Sequence, residues 1–215
     1  MTRAEGGTRR RGRPGYDLAT LLTAAAELFH ERGYDGTSME ELSKRLGIAK
    51  SAIYHHVTGK EQLLSLAVDR ALDGLFGVAD QLPGVPGRAV DRLEFLVRGS
   101  IGVLVEELPF VTLLLRVRGN TQTERDALAR RREFDHIVTA LVTEAAGEGD
   151  LRADVDPATT TRLLFGMINS IIDWYRPQGG LSAAGLADAV CAVAFDGLRV
   201  RRGQRGSGHA VPGGA

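Results

Sequence analysis

The sequence predicts an all-α protein built as a small N-terminal unit, residues 16–72, and a larger helical bundle, residues 73–202. Three observations carry this. Apolar residues return at helical spacing almost from end to end, beginning with Leu18, Leu21, Leu22, Ala25, Leu28 and Phe29. No stretch alternates convincingly with the period of two that a half-buried strand requires. Helix-stopping signals at Gly33, at Gly47 and in the Leu82–Gly87 run LPGVPG divide the chain into helix-sized pieces.

Taken in order, Met1 to Gly15 contains five arginines, four glycines and no aliphatic residue larger than alanine, so residues 1–15 are expected to be a disordered Arg-rich tail. Residues 203–215, GQRGSGHAVPGGA, read the same way. Asp17 is placed to cap the first helix, which should stop at Gly33. Ser38-Met39-Glu40-Glu41 has the S-x-x-E pattern of a capping box and opens a short helix with Met39, Leu42 and Leu46 inward. Gly47 breaks that helix, and the next helical stretch, Lys50 to Val57, begins almost at once. Two short helices joined so tightly, with Ile48, Ile53 and Val57 available to pack inward, make a helix-turn-helix. Thr58-Gly59-Lys60-Glu61 repeats the capping pattern as T-x-x-E and opens a long helix joining the small unit to the bundle. Beyond LPGVPG, helices are predicted over Ala89–Glu107, Pro109–Arg118, Thr121–Gly147, Pro157–Tyr175 and Ser182–Arg201.

Lys+Arg and Asp+Glu are equal at 27 each in 215 residues, so any nucleic-acid surface must come from local clustering. The single cysteine, Cys191 in AVCAVAF, excludes an internal disulfide and suits a reducing cytosol, where it would serve as a small buried apolar residue. No run reaches about 18 uninterrupted apolar residues, and no signal-type hydrophobic segment follows the N-terminal arginines, so a soluble, cytoplasmic protein without membrane attachment is expected.

Gly47 to Leu64, GIAKSAIYHHVTGKEQLL, is a local cluster of the kind required, with two lysines, a tyrosine and two histidines against one acid, Glu61. With Ile53 and Val57, four apart, turned to the core, Lys50, Ser51, Ala52, Tyr54 and His55 fall on the outward and flanking faces. Ser51 and Ala52 form a short tip that lets the backbone approach base edges, and the Ala52 methyl can meet a thymine methyl. Lys50, Tyr54 and Lys60 are better placed to grip phosphate. Helix starts at Thr58 and at Thr37-Ser38 add backbone N–H groups that favour an anion. Upstream, Arg9-Arg10-Arg11-Gly12-Arg13-Pro14 resembles an AT-hook, in which Arg11 and Arg13 would enter an A·T-rich minor groove beside the reading helix.

A metal reading of His55-His56 fails on geometry. Neighbours on a helix point about 100° apart, and no carboxylate, cysteine or histidine follows either one at i+3 or i+4. Gly-x-Ser-x-Gly, Walker A, Gly-x-Gly-x-x-Gly and His-Glu-x-x-His are all absent. No enzyme, cofactor or metal site is expected.

GTSMEELSKRLGIAKSAIYHHVTGKEQLL resembles the DNA-binding signature of the tetracycline-repressor (TetR) family of bacterial transcription regulators. The resemblance runs from about Asp17 to Leu72 and implies a homodimer whose recognition helix is Lys50 to Val57, with Thr37, Lys50, Tyr54, His55 and Lys60 among the operator contacts. Val57, where the family usually carries phenylalanine, and Thr58-Gly59, where Pro-Ser is common, depart from the pattern. Gly166-Met167 through Trp174-Tyr175-Arg176-Pro177 is similar to the ending of members that control fatty-acid, aromatic-acid and sterol breakdown, several of which respond to acyl-coenzyme A thioesters.

The last helix, AAGLADAVCAVAFDGLRV, is apolar around its circumference and so needs partners on more than one side. Gly166 and Ser170 on the preceding helix are small enough for close approach. Pairing these two helices with their copies makes a two-fold, four-helix interface that includes Gly166, Ser170, Val190, Ala194 and Phe195. For an effector pocket, Phe110, Leu114, Phe134, Ile137, Phe165 and Trp174 supply apolar lining, and Arg116 in LLLRVRGN supplies a cation for an acidic group. Arg130-Arg131-Arg132 fits a ligand site or a solvated helix face equally well.

These readings combine into a ligand-responsive repressor that binds palindromic double-stranded DNA as a homodimer and is released by a small-molecule effector, with acyl-coenzyme A among the candidates. The rival is an architectural DNA-binding dimer without effector. A filled bundle core would favour the rival; a cavity lined by Phe165 and Trp174 would favour the sensor.

Overall fold

The computed structural model of the protein describes residues 17–198. The Arg11 and Arg13 expectation, both expected tails and the last predicted residues of the final helix lie outside that range. Among the described residues the chain forms α1 (Leu18–Arg32), α2 (Met39–Leu46), α3 (Lys50–Tyr54), α4 (Lys60–Ala79), a 3-10 turn (Leu82–Gly84), α5 (Ala89–Glu106), α6 (Leu108–Arg116), α7 (Gln122–Gly147), α8 (Pro157–Asn169), α9 (Ile171–Trp174) and α10 (Ala183–Leu198), with no strand.

The capping chemistry at the front of the chain acts where the sequence placed it. The Asp17 carboxylate accepts from the Thr20 N–H at 2.8 Å, and that bond holds its pKa below the usual carboxylate value. Ser38 and Glu41 form the reciprocal capping box of α2. Gly47 ends α2 in the left-handed region, φ 65°, where a side chain would be strained, and its N–H returns to the Lys44 carbonyl. The sharp stop lets α3 turn back so that Ile53, fully buried, and Val57 pack against the α1 and α2 core.

Two helix boundaries differ from the prediction. The helix from Lys50 stops at Tyr54; the following turn is closed by the His56 and Val57 N–H groups, both donating to the Ile53 carbonyl. The α4 N-cap is Gly59, without a side-chain cap, because the Thr58 N–H and hydroxyl both donate to Gln62 Oε1. A third difference lies at Ser170, where the predicted helix over 157–175 divides into α8 and α9 and the Ser170 hydroxyl donates to the Met167 carbonyl at 2.7 Å.

α4 runs without interruption from the three-helix head into the bundle. Its first half packs under α1, and its second half packs on α5 and α7. Close approach to α5 depends on Gly99, where a Cβ would stand 2.3 Å from Val78 Cγ1. α6 is held between α1 and α4, and α10 lies along α5. Ion pairs lock the contacts: Arg130 of α7 reaches Asp69 and Asp73 of α4 at 2.7 Å each, and Arg70 reaches Glu107 at 2.7 Å.

Candidate nucleic-acid interface and effector cavity

At the head, α3 hides Ile53 and exposes Lys50, Ser51, Tyr54 and His55, with Ala52 half-buried; Tyr54 is 47% exposed despite its aromatic ring. Ser38 is exposed beside them, its hydroxyl engaged with Glu41. Two expected contacts are corrected. Thr37 is buried, and its hydroxyl donates to the Gly33 carbonyl at 2.8 Å, tying off the end of α1 where free carbonyls need partners. Lys60 is half-buried; its ammonium donates to the Tyr34 carbonyl at 2.8 Å and lies 4.2 Å from the centre of the Tyr34 ring. It fastens the α1–α2 loop to the start of α4 instead of standing free for phosphate.

In the bundle, a small cavity of about 40 Å³, open on one side, is lined by residues of α4, α5, α6, α7 and α8. Its apolar walls include Leu72, Leu75, Leu104, Val111, Leu114 and Phe165, with Phe134 meeting Phe165 edge to face at 5.6 Å. Polar lining comes from Arg131, Asp135, Asn169 and Ser100. Arg131, Asp135, Phe165 and Asn169 also border an outer chamber of about 450 Å³ between α7 and α8, where Arg132 and Arg162 add positive charge and His136 an imidazole. Burial lowers the Arg131 pKa. Asp135 opens to solvent on one side, yet crowding by the chamber walls pushes its carboxyl up against the pull of Arg131, His136 and Arg162. A half-buried cation beside an apolar opening suits an amphipathic guest.

The cavity takes three of the seven expected lining residues, Leu114, Phe134 and Phe165. The others lie elsewhere. Phe110 is buried under the Arg70 guanidinium, 4.7 Å from its ring centre. Arg116 is exposed on the far side of α6, 3.8 Å from Asp173. Ile137 is half-buried on α7 away from the opening, and Trp174 is 52% exposed because α9 turns its ring outward. The four polar lining residues, Ser100, Arg131, Asp135 and Asn169, are ones that the sequence alone does not assign; the only signal for Arg131 is its membership of the arginine triplet.

The interface expectation also divides. Gly166 and Ser170 are exposed on α8, but Val190, Ala194 and Phe195 are buried within the same chain, because that side of α10 faces α5. Arg98 of α5 secures the contact through Asp188 at 2.6 Å. The free face of α10 carries Ala189, Ala192 and Val193, the last 70% exposed, next to Leu163 of α8 at 67%. Cys191 lies on the buried side, and burial pushes its thiol up.

A three-helix head that presents a polar helix-turn-helix, mounted by one continuous helix on a bundle with a small cavity among its helices, defines a one-component DNA-binding regulator with a ligand-binding body. Comparison with known proteins agrees. Residues 21–67 match the family of bacterial regulatory proteins called tetR, and residues 86–198 match the tetracyclin repressor-like C-terminal domain. The chain belongs to the TetR family of transcriptional regulators. It is similar to SCO3833, a TetR-family member from Streptomyces coelicolor A3, at 62% identity and TM-score 0.77 over 84% of this chain and 92% of that one. It is 28% identical to the HTH-type transcriptional repressor KstR2 of Rhodococcus jostii, covering 83% of this chain and 89% of the relative. The structure of AibR in complex with isovaleryl coenzyme A and operator DNA is similar at 28% identity and TM-score 0.68, over 82% of this chain and 97% of that one. These relatives are regulators, not enzymes, and no helix among the described residues is long and apolar enough to cross a membrane.

Proposed function

We propose that this protein is a cytoplasmic, homodimeric repressor, with a head of residues 16–72 and a body of residues 73–202, that leaves its operator when a coenzyme A thioester binds the body. The observation that carries the reading is the placement of the cavity. At about 40 Å³ it holds only two or three waters. An acyl group larger than this enters only by displacing walls, and two of those walls, α4 and α6, pack directly on α1 of the head. A ligand that needs shifted walls binds the two arrangements of the head unequally, which is the requirement for an effect on DNA affinity. The arginines of the outer chamber suit the phosphates of such a thioester. Of the two residues whose lining of a cavity would favour the sensor over the architectural rival, Phe165 lines it and Trp174 does not.

On the DNA side, Lys50, Tyr54 and His55 meet the backbone and groove, with Ser51 and Ala52 at base edges, and the uncapped start of α4 offers N–H groups to a phosphate. Two copies with reading helices about 34 Å apart match a palindrome. The pairing surface is the apolar strip of Leu163 and Val193, both exposed, and half-buried Met167, a shallow groove of about 320 Å³, with Gly166 and Ser170 exposed along the same segment as Leu163. The Leu163→Asp variant is expected to sediment as a monomer and to lose most operator affinity; a dimeric Leu163→Asp protein would move the interface elsewhere.

The deciding experiment is a gel-shift titration on palindromes upstream of the gene, repeated with acyl-coenzyme A thioesters of increasing chain length, free coenzyme A and the free acids. Release by a thioester alone supports the reading. Binding that no thioester alters would leave the effector assignment without support.

A further inference from the structure

On the other side of α6 from the effector cavity, a cleft of about 380 Å³ opens between head and body. One wall is the end of α1 and the loop after it, with Phe29, His30 and Tyr34; the other is the end of α6 and the turn after it, with Leu113, Arg116 and Arg118. Leu113 faces the cleft, whereas Val111, Leu114 and Leu115 line the cavity, so the helix itself separates the two spaces.

The charges around the cleft are unevenly committed. Glu124, on its floor, accepts from the backbone N–H groups of Arg118, Gly119 and Asn120 at 3.1, 2.7 and 2.8 Å, and its charge is thereby occupied. Arg32 at the rim is paired with Glu41. Arg116 has only Asp173, at 3.8 Å. The side chains of Arg118, His30 and Asn120 make no hydrogen bond or ion pair among the described residues. Asp35 is the opposing acid. The Phe29 and Tyr34 rings, with centres 5.4 Å apart, also line the cleft; Phe29 is otherwise buried and the Tyr34 ring carries the Lys60 ammonium on one face.

We propose that this cleft is a second ligand site, for a phosphorylated molecule of about nucleoside monophosphate size. Guanidinium groups on one wall suit a phosphate, and the volume of the cleft leaves room for the nucleoside attached to it. A molecule seated there contacts the α1–α2 loop and the end of α6 together, so it biases how the head sits on the body. Its effect on operator affinity is reciprocal with its own binding. The same chemistry occurs in free nucleotides and in the adenosine phosphate end of coenzyme A.

The test is calorimetric titration of the full-length protein with adenosine 5′-monophosphate, adenosine 3′,5′-bisphosphate and inorganic phosphate. One saturable site per chain is expected for an adenosine phosphate, weakened about tenfold in the Arg116→Ala/Arg118→Ala double variant. The Asp35→Asn variant, which removes the competing acid, is expected to bind more tightly, a gain that misfolding cannot produce. Preference for the monophosphate identifies a free nucleotide as the source, and preference for the bisphosphate identifies coenzyme A. Absence of saturable binding, equal binding by the double variant, or inorganic phosphate binding as tightly as the nucleotides overturns the proposal. Direct binding needs no operator, so this failure is distinct from failure of the repressor reading.

Discussion

The Lys50→Ala/Tyr54→Ala double variant is expected to bind the operator about a hundredfold more weakly at physiological salt while melting at the wild-type temperature. Both side chains point away from the core, and neither makes a hydrogen bond or ion pair among the described residues, so removing them leaves the head packed on Ile53 and Val57. In a dimer the change removes two lysines and two tyrosines from the DNA face. The slope of log affinity against log salt should flatten by about 2, one released counterion per lost lysine, and the loss should be the same for every sequence tested. Changes at Ser51 or Ala52 should instead alter which base is preferred. A double variant with unchanged affinity and salt slope would mean that α3 is not the face that meets DNA.

The second large effect falls on stability. Glu124→Ala is expected to destabilise the fold by about 3 kcal/mol, because three part-buried backbone donors lose one charged acceptor at once. For a domain of this size that lowers Tm by roughly 6–12 °C. Glu124→Gln keeps an acceptor oxygen but not the charge, and should fall between the two. Scanning calorimetry reads both. If Glu124→Ala melted with the wild type, the turn between α6 and α7 would have to be held by Thr121, whose hydroxyl caps α7, and not by the carboxylate.

The head was legible because its signals are local. A capping serine three residues before a glutamate, a glycine after a short amphipathic run and two aliphatics four apart each act within one or two turns of helix, and Ser38, Gly47 and Ile53 act as their spacing implies. Thr37 and Lys60 were misread because their partners, the Gly33 and Tyr34 carbonyls, are decided by how the chain folds back between helices. The arginine triplet shows the limit in another form. Successive helical residues point about 100° apart; Arg130 turns to the α4 carboxylates, Arg131 to the cavity and Arg132 to the outer chamber, and composition cannot rank them. For α10, apolar on every side, the sequence signals that two partners exist without saying which face meets the chain's own α5 and which remains for a copy.

α4 has no joint. Its 20 residues make a shaft about 30 Å long that begins beside the reading helix and ends past the cavity. Pivoting it by only ten degrees or so would swing the far tip by about 5 Å, more than the roughly 3.4 Å between stacked base pairs. A guest that prises the bundle open by a fraction of a side chain can therefore put two copies out of step with a palindrome, with no part of the head unfolding.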